Sequence, residues 1–287
     1  MIKLIAADMD GTLLNSAHRL DDRTVAAIKN AQARGVSFVM ATGRILSDVV
    51  SFLAAYDIHC DYLTMNGAEY YDAAERLVQG IYIPEDKARE ILAILRKFPK
   101  FNVELYTNRG HFSADPKRKT LKGMFRRMIA RSGSMSVCKL IWNAAHDNHF
   151  RQMQYIEDME DFWPKKLSIG KFITFGDTKE EMDKLRGRLA TVKNIAVTAS
   201  FYTNIEINAA AATKGEALRR YIASRSIKPE EVMVLGDGQN DLSMFQAFPQ
   251  NSVAMANAIP ELKKIAAHVT ASNNEGGVAL AIEKYAG

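Results

Sequence analysis

The sequence predicts an α/β protein, a parallel sheet covered by helices on both faces and interrupted by an α+β insertion. Three observations carry this. Short apolar runs alternate with amphipathic stretches over the first 83 residues. The same alternation returns near the C-terminal end, and the segment between has a different rhythm and a different charge.

Residues 2–7 are apolar except for Lys3 and read as a buried strand that stops at Asp8 and a glycine turn. Asp21 or Asp22 caps a helix whose positions Val25, Ala26, Ile28 and Ala31 keep helical spacing, and Gly35 ends it. A second strand over 36–41 leads into the turn Thr42-Gly43-Arg44 and another helical stretch. A third strand over 62–65 runs into Asn66-Gly67. The middle holds strand candidates at 102–106, 152–156, 171–175 and 195–199, with helices near 85–96, 118–131 and 178–191. The alternation then resumes with a helix over 214–225, a strand over 232–235 and the turn Gly236-Asp237-Gly238. A helix over 241–248, a strand over 252–256, a helix over 260–266, a strand over 268–271 and a helix near 277–285 complete the chain. Neither end has enough strands to close a buried layer, so the two ends are read as one sheet. The expected domains are a discontinuous core, 1–83 with 207–287, and an α+β insertion at 84–206.

Composition narrows the function classes. Of 287 residues, 47% are hydrophobic and 25% charged, which excludes a disordered or collagen-like chain. A net charge of +5 is too small to argue for nucleic acid as a partner. It is unevenly spread: residues 84–206 carry a net +8 and the two ends together −3. Cys60 and Cys138 are the only cysteines, too few and too distant for a disulfide framework or a CxxC metal pair. Asp8 and Asp10 interrupt the apolar start before a signal sequence could form. No stretch approaches the roughly 18 apolar residues of a membrane span. The expected setting is the cytoplasm.

Ligands of parallel α/β sheets bind at the carboxyl ends of the strands. Four polar clusters fall at predicted strand ends or helix starts: Asp8-Met9-Asp10-Gly11-Thr12, Thr42-Gly43-Arg44, Thr213-Lys214-Gly215, and Gly236-Asp237-Gly238-Gln239-Asn240-Asp241. Singly, each is an ordinary turn or cap. Together they bring carboxylates, hydroxyl, ammonium and backbone amides to one rim. Carboxylates such as Asp8 and Asp237 suit a hard cation such as Mg²⁺, without which they would repel one another and a phosphate. Lys214 and Thr42 could grip phosphoryl oxygens as charge builds, and a carboxylate can itself attack phosphorus.

DMDGT at 8–12, the Thr of ATGR at 42, Lys214 of TKG and GDGQND at 236–241 resemble the four motifs of the haloacid dehalogenase superfamily. Their order and spacing resemble its Cof-type branch, in which a large α+β cap sits between the second and third motifs. The resemblance implies a Rossmann-like core and a cap at 84–206. It implies Asp8 as nucleophile and metal ligand. Asp10 would be the general acid–base and give its backbone carbonyl to the metal. Thr42, Gly43, Lys214 and Asn240 would form the phosphate-binding set. Asp237 would be a Mg²⁺ ligand, and Asp241 would complete the metal set from its supporting shell, which Asn240 shares. Arg44 is a candidate substrate contact or a structural ion pair. In related cation-pumping ATPases, Thr occupies the position of Asp10 and the aspartyl phosphate persists, so a carboxylic acid here points to hydrolysis. One departure stands out: Asn208-Ala209-Ala210-Ala211-Ala212 replaces the Pro-Lys or similar polar stretch that often precedes the third motif.

The implied function is a Mg²⁺-dependent phosphatase of small phosphorylated metabolites, sugar phosphates or a phosphorylated cofactor such as pyridoxal phosphate. The alternatives are a phosphomutase of the same fold and, from another class, a non-catalytic protein binding nucleic acid or another anion. His146 and His149 have a spacing seen in metal sites, but no Cys or third His accompanies them. Lys117, Arg118, Lys119, Lys122, Arg126, Arg127 and Arg131 read as a solvated helix face or a patch that attracts anionic substrates, and Glu157, Asp158, Glu160 and Asp161 as its counterpart. Trp142, Phe162 and Trp163 read as cap core.

Overall fold

The computed structural model describes residues 1–132, 151–199 and 203–286. Cys138, Trp142, His146 and His149 lie outside the described residues, as do the side chains of Arg126, Arg127 and Arg131. In chain order the first elements are β1 (Leu4–Ala7), α1 (Asp22–Ala33), β2 (Ser37–Ala41), α2 (Leu46–Ala54), β3 (Asp61–Thr64), a turn at Met65–Gly67, β4 (Glu69–Tyr71) and β5 (Leu77–Gly80). Next come α3 (Glu85–Leu95), β6 (Asn102–Thr107), β7 (Gly110–Ser113), α4 (Lys117–Ser132), β8 (Gln154–Tyr155) and α5 (Met159–Phe162). β9 (Ile169–Phe175), α6 (Lys179–Leu189), β10 (Ile195–Thr198) and β11 (Asn204–Ala209) follow. The chain ends with α7 (Lys214–Ala223), β12 (Val232–Gly236), α8 (Leu242–Ala247), β13 (Ser252–Ala254), α9 (Pro260–Ile265), β14 (His268–Val269) and α10 (Gly277–Tyr285).

The contacts divide the chain into two units, Met1–Ile81 with Ala210–Gly287, and Tyr82–Ala209. In the first, the strand order is β14-β13-β12-β1-β2-β3-β4-β5. Pairing is parallel from β14 to β3 and antiparallel at β4 and β5. The two chain ends therefore meet inside one sheet, with β1 lying between β2 and β12. Every side chain of β1 is buried, as expected of a strand with both faces covered. α1 starts where Asp21 accepts from the Thr24 N–H at 2.8 Å, satisfying one of the helix's free donors. β4 and β5 carry no strong signal in the sequence, because they are three and four residues long and β5 is exposed throughout.

The second unit holds a six-stranded sheet, β10-β11-β9-β6-β7-β8, antiparallel except between β7 and β8. Its register places Val103, Leu105, Phe172, Ile205 and Ile207 on one face, and Glu104, Tyr106, Lys171 and Glu206 on the other. α3 buries Ala88, Ile91, Leu92 and Leu95, and α6 buries Met182, Leu185 and Leu189. Phe162 and Trp163 are buried and meet edge to face. The expected boundaries at 84 and 206 shift by a few residues. Ile83 already pairs with Ile169, and β11 runs unbroken to Ala209.

Candidate active site

The parallel strands β12, β1 and β2 are neighbours and point the same way, so the residues after them share one rim. Those residues are Asp237, Asp8 and Thr42. The Asp8 N–H donates to the Leu235 carbonyl at 3.0 Å and the Thr42 N–H to the Leu63 carbonyl at 2.8 Å, which fixes both loops to the sheet. Lys214 is the first residue of α7, whose start is capped by Thr213 accepting from the Glu216 N–H.

Lys214 is fully buried, and its Nζ donates to Asp8 Oδ1 at 2.5 Å and to Asp241 Oδ1 at 2.7 Å. Asp241 uses its other oxygen to accept from the backbone N–H groups of Asp237 (3.0 Å) and Gly238 (2.9 Å). It thereby shapes the loop that presents Asp237. Thr12 Oγ1 donates to Asp237 Oδ1 at 2.9 Å. Gly11 has φ of +83°, and a Cβ there would overlap the Asp237 carboxylate, so this approach of the two loops requires glycine. Asn257 holds the same turn by donating to the Gly11 carbonyl at 2.7 Å.

Charge is crowded here. Burial pushes the Asp8 carboxyl well above the usual carboxylate range; Lys214 opposes this, while Asp241, Asp237 and Asp10 add to it. Burial and the neighbouring Asp241 push Asp237 up to about 7, against the Thr12 hydrogen bond and Lys214. Burial alone would lower the Lys214 ammonium, but Asp241 and Asp8 outweigh it and hold Lys214 above its ordinary value. One buried ammonium does not balance the carboxylates around it. Oxygens of Asp8, Asp237 and Asp241 all lie within 4.8 Å of one another. An all-oxygen set with surplus negative charge fits a hard divalent cation.

The structure thus brings Asp8, Asp237, Asp241 and Lys214 together. Asp10 pairs with Arg44 instead: Arg44 Nε donates to Asp10 Oδ2 at 2.8 Å and Nη2 to Oδ1 at 2.5 Å, both oxygens engaged by one guanidinium. Thr42 is buried, and its Oγ1 accepts from the Arg44 N–H at 3.2 Å across Gly43. Asn240 donates to Asn66 Oδ1 at 3.3 Å. Three residues of this constellation had no role assigned from the sequence. Thr12 lay inside a quoted motif, Asn66 read only as a turn residue, and Asn257 carried no signal at all.

The haloacid dehalogenase-like hydrolase family matches residues 5–282. Phosphatase YwpJ of Bacillus subtilis is 30% identical over 282 residues, 97% of this chain and 98% of that protein. 5-Amino-6-(5-phospho-D-ribitylamino)uracil phosphatase YwtE of the same organism is 30% identical over 285 residues, 99% of this chain and 98% of its own. A solved haloacid dehalogenase-like hydrolase from B. subtilis superposes with a TM-score of 0.86 at 29% identity, covering 99% of this chain and 100% of that one. Among the described residues no helix is long and apolar enough to cross a membrane. With a match from β1 to α10 and an acidic rim at the carboxyl ends of its parallel strands, the chain belongs to the haloacid dehalogenase-like hydrolase family, as one of its phosphoric monoester hydrolases.

Proposed function

We propose that this chain is a Mg²⁺-dependent phosphatase of small phosphorylated metabolites, acting through an aspartyl phosphate on Asp8. The observation that carries this is the buried Asp8–Lys214–Asp241 arrangement with Asp237 at its side. Asp8, Asp237 and the backbone carbonyl of Asp10 would hold the cation, with Asp241 supporting from behind. When bound, Mg²⁺ supplies positive charge that offsets the carboxylates and those of the phosphoryl oxygens.

Asp8 attacks phosphorus, and the bond from phosphorus to the leaving oxygen breaks as Asp10 gives that oxygen a proton. Asp10 then takes a proton from water. The water oxygen bonds to phosphorus, and the Asp8–phosphorus bond breaks to release inorganic phosphate. Lys214, Thr42, the Gly43 backbone and Asn240 bind the phosphoryl oxygens. Arg44 holds the Asp10 carboxylate with both donors, so this pairing has to loosen for Asp10 to carry a proton.

The motifs address only the phosphoryl group. We therefore assign substrate choice to the insertion, as a cap, with its net charge of +8 over 84–206 favouring anionic substrates. Sugar phosphates or a phosphorylated cofactor such as pyridoxal phosphate, met in the cytoplasm, are the substrate class. A relative whose name specifies a phosphorylated ribitylamino compound supports that size and chemistry. The test is phosphate release from a panel of such metabolites with Mg²⁺, with EDTA, and in Asp8→Asn. Release that needs Mg²⁺ and Asp8 is expected. No release from any phosphomonoester, p-nitrophenyl phosphate included, would overturn the assignment.

A further inference from the structure

The turn at Met65–Gly67 lies outside the four motif clusters, yet it touches three of them. Met65, Asn66 and Gly67 have successive φ values of 49°, 63° and 100°. Asparagine and glycine tolerate this left-handed region, but methionine does not adopt it without help. Such a run persists only where its surroundings over-determine it.

Those surroundings are the site. The Met65 N–H donates to the Arg44 carbonyl and the Asn66 N–H to the Thr42 carbonyl, each at 2.9 Å, so the turn is stitched to the loop after β2. A Cβ on Gly67 would come within 2.7 Å of the Thr213 carbonyl oxygen and of the Ala217 Cβ. The turn is thus pressed against the start of α7, beside Lys214. Asn66 is 3% exposed, and its Oδ1 accepts from Asn240 Nδ2 at 3.3 Å. An amide nitrogen carries two hydrogens. Asn66 takes one, which orients the Asn240 amide and leaves the second for a phosphoryl oxygen.

We infer that the Met65–Gly67 turn sets the mutual placement of the phosphate-binding groups, with Asn66 a positioning residue that acts through Asn240. The inference rests on the phosphate-binding role proposed for Asn240. The test uses the full chain with Mg²⁺ and measures the inhibition constant of inorganic phosphate against p-nitrophenyl phosphate hydrolysis. Asn66→Gly keeps the left-handed backbone and removes the side chain. It and Asn240→Ala should each raise that constant by roughly 3- to 10-fold, the worth of one hydrogen bond. The double variant should lose no more than the weaker-binding single, because the two act as one unit. The rise in melting temperature caused by Mg²⁺ should match wild type in Asn66→Gly, which a general distortion of the rim would not allow. Asn66→Ala, a second variant, should bind phosphate as poorly and also melt earlier, since alanine must then adopt the left-handed region. Normal phosphate inhibition in Asn66→Gly while Asn240→Ala is impaired would overturn the inference, as would additive losses or a diminished Mg²⁺ effect. An Asn240→Ala variant that binds phosphate normally would instead remove Asn240 from phosphate binding, and the role of Asn66 with it.

Discussion

Each of the two sheets buries a lysine, and the two lysines are used differently. Lys214 stands at the rim of the parallel sheet, fully buried, between two carboxylates from loops more than 200 residues apart in the chain. Lys171 sits within the antiparallel sheet, 2% exposed, paired with Glu206 on the neighbouring strand at 3.1 Å and lying over the Tyr106 ring. A parallel sheet covered on both faces leaves polar groups no place but the strand ends, so its buried charge collects where chemistry is possible. An antiparallel strand alternates its faces, so β6 and β11 can carry Val103, Leu105, Ile205 and Ile207 on one face and Glu104, Tyr106 and Glu206, with Lys171 of β9, on the other. The same residue type therefore marks a strand-end rim of clustered carboxylates in one unit and a sheet face in the other.

The sharpest way to break this contrast is at the rim. Asp8→Asn should remove turnover on every substrate, by roughly 10⁴-fold or more, as loss of a nucleophile does. Burial and like charges outweigh Lys214 at Asp8, so the neutral amide relieves repulsion; the metal-free variant should melt no lower than wild type near neutral pH. A large fall in melting temperature would show that Asp8 is held for stability. Next, Lys214→Met should cost about 10²–10³-fold in kcat, the scale of one oxyanion-stabilising donor. Retention of wild-type kcat would place Lys214 among structural ion pairs.

Lys171→Met inverts the pattern. It takes the Lys171 ammonium away from the buried Glu206 carboxylate and should lower stability, measured by denaturant unfolding, with kcat for p-nitrophenyl phosphate little changed. Replacing both partners with apolar residues should recover most of that loss. A kcat for p-nitrophenyl phosphate that falls as far as in Lys214→Met would erase the distinction between the two lysines.

The effect of Mg²⁺ on melting should be smaller and depend on pH. Asp237 is pushed up to about 7 in the folded chain from an ordinary 3.8. Across that interval the folded chain keeps a proton that the unfolded chain has released, so metal-free stability falls as pH rises through it. Cation binding needs the carboxylate, so the stabilisation by Mg²⁺ should grow with pH. It should reach about 2.7 kcal/mol at a hundredfold excess over Kd. A Mg²⁺ effect that is flat from pH ~5 to ~8 would separate Asp237 from the metal. Smallest in stability is Arg44→Ala: both partners of the Asp10 pair are substantially exposed, so under about 1 kcal/mol should be lost. If Asp10 is the proposed general acid, activity should change more with a poor leaving group than with p-nitrophenolate, because only the poor one then needs its proton. Equal changes with both would detach Arg44 from that step.

What could be seen before folding was whatever lies close together in the chain. Asp8 with Asp10, and Asp237 with Asn240 and Asp241, are neighbours in sequence. Loops at strand ends gather such residues, so these clusters stood out together, and their resemblance to a family's four motifs gave them roles. The helices α3, α6, α7 and α10 were visible through their apolar periodicity. β7 and β11 were missed, although β11 sets Ile205 and Ile207 between polar residues and that alternation is itself a strand signal.

The sequence by itself determined the alternating core, the charge difference between the ends and the middle, and the four clusters with their order. Only the tertiary structure decided who pairs with whom. Asp10 could have faced a cation, a substrate or Arg44, and the fold gives its side chain to Arg44. Asn66 looked like a turn residue and is bonded to Asn240, 174 positions away. The physical reason is one of range. Periodicity and turn chemistry are local properties, present in any short stretch of chain. A hydrogen bond exists only when donor and acceptor come within about 3 Å, and that depends on how every intervening element packs.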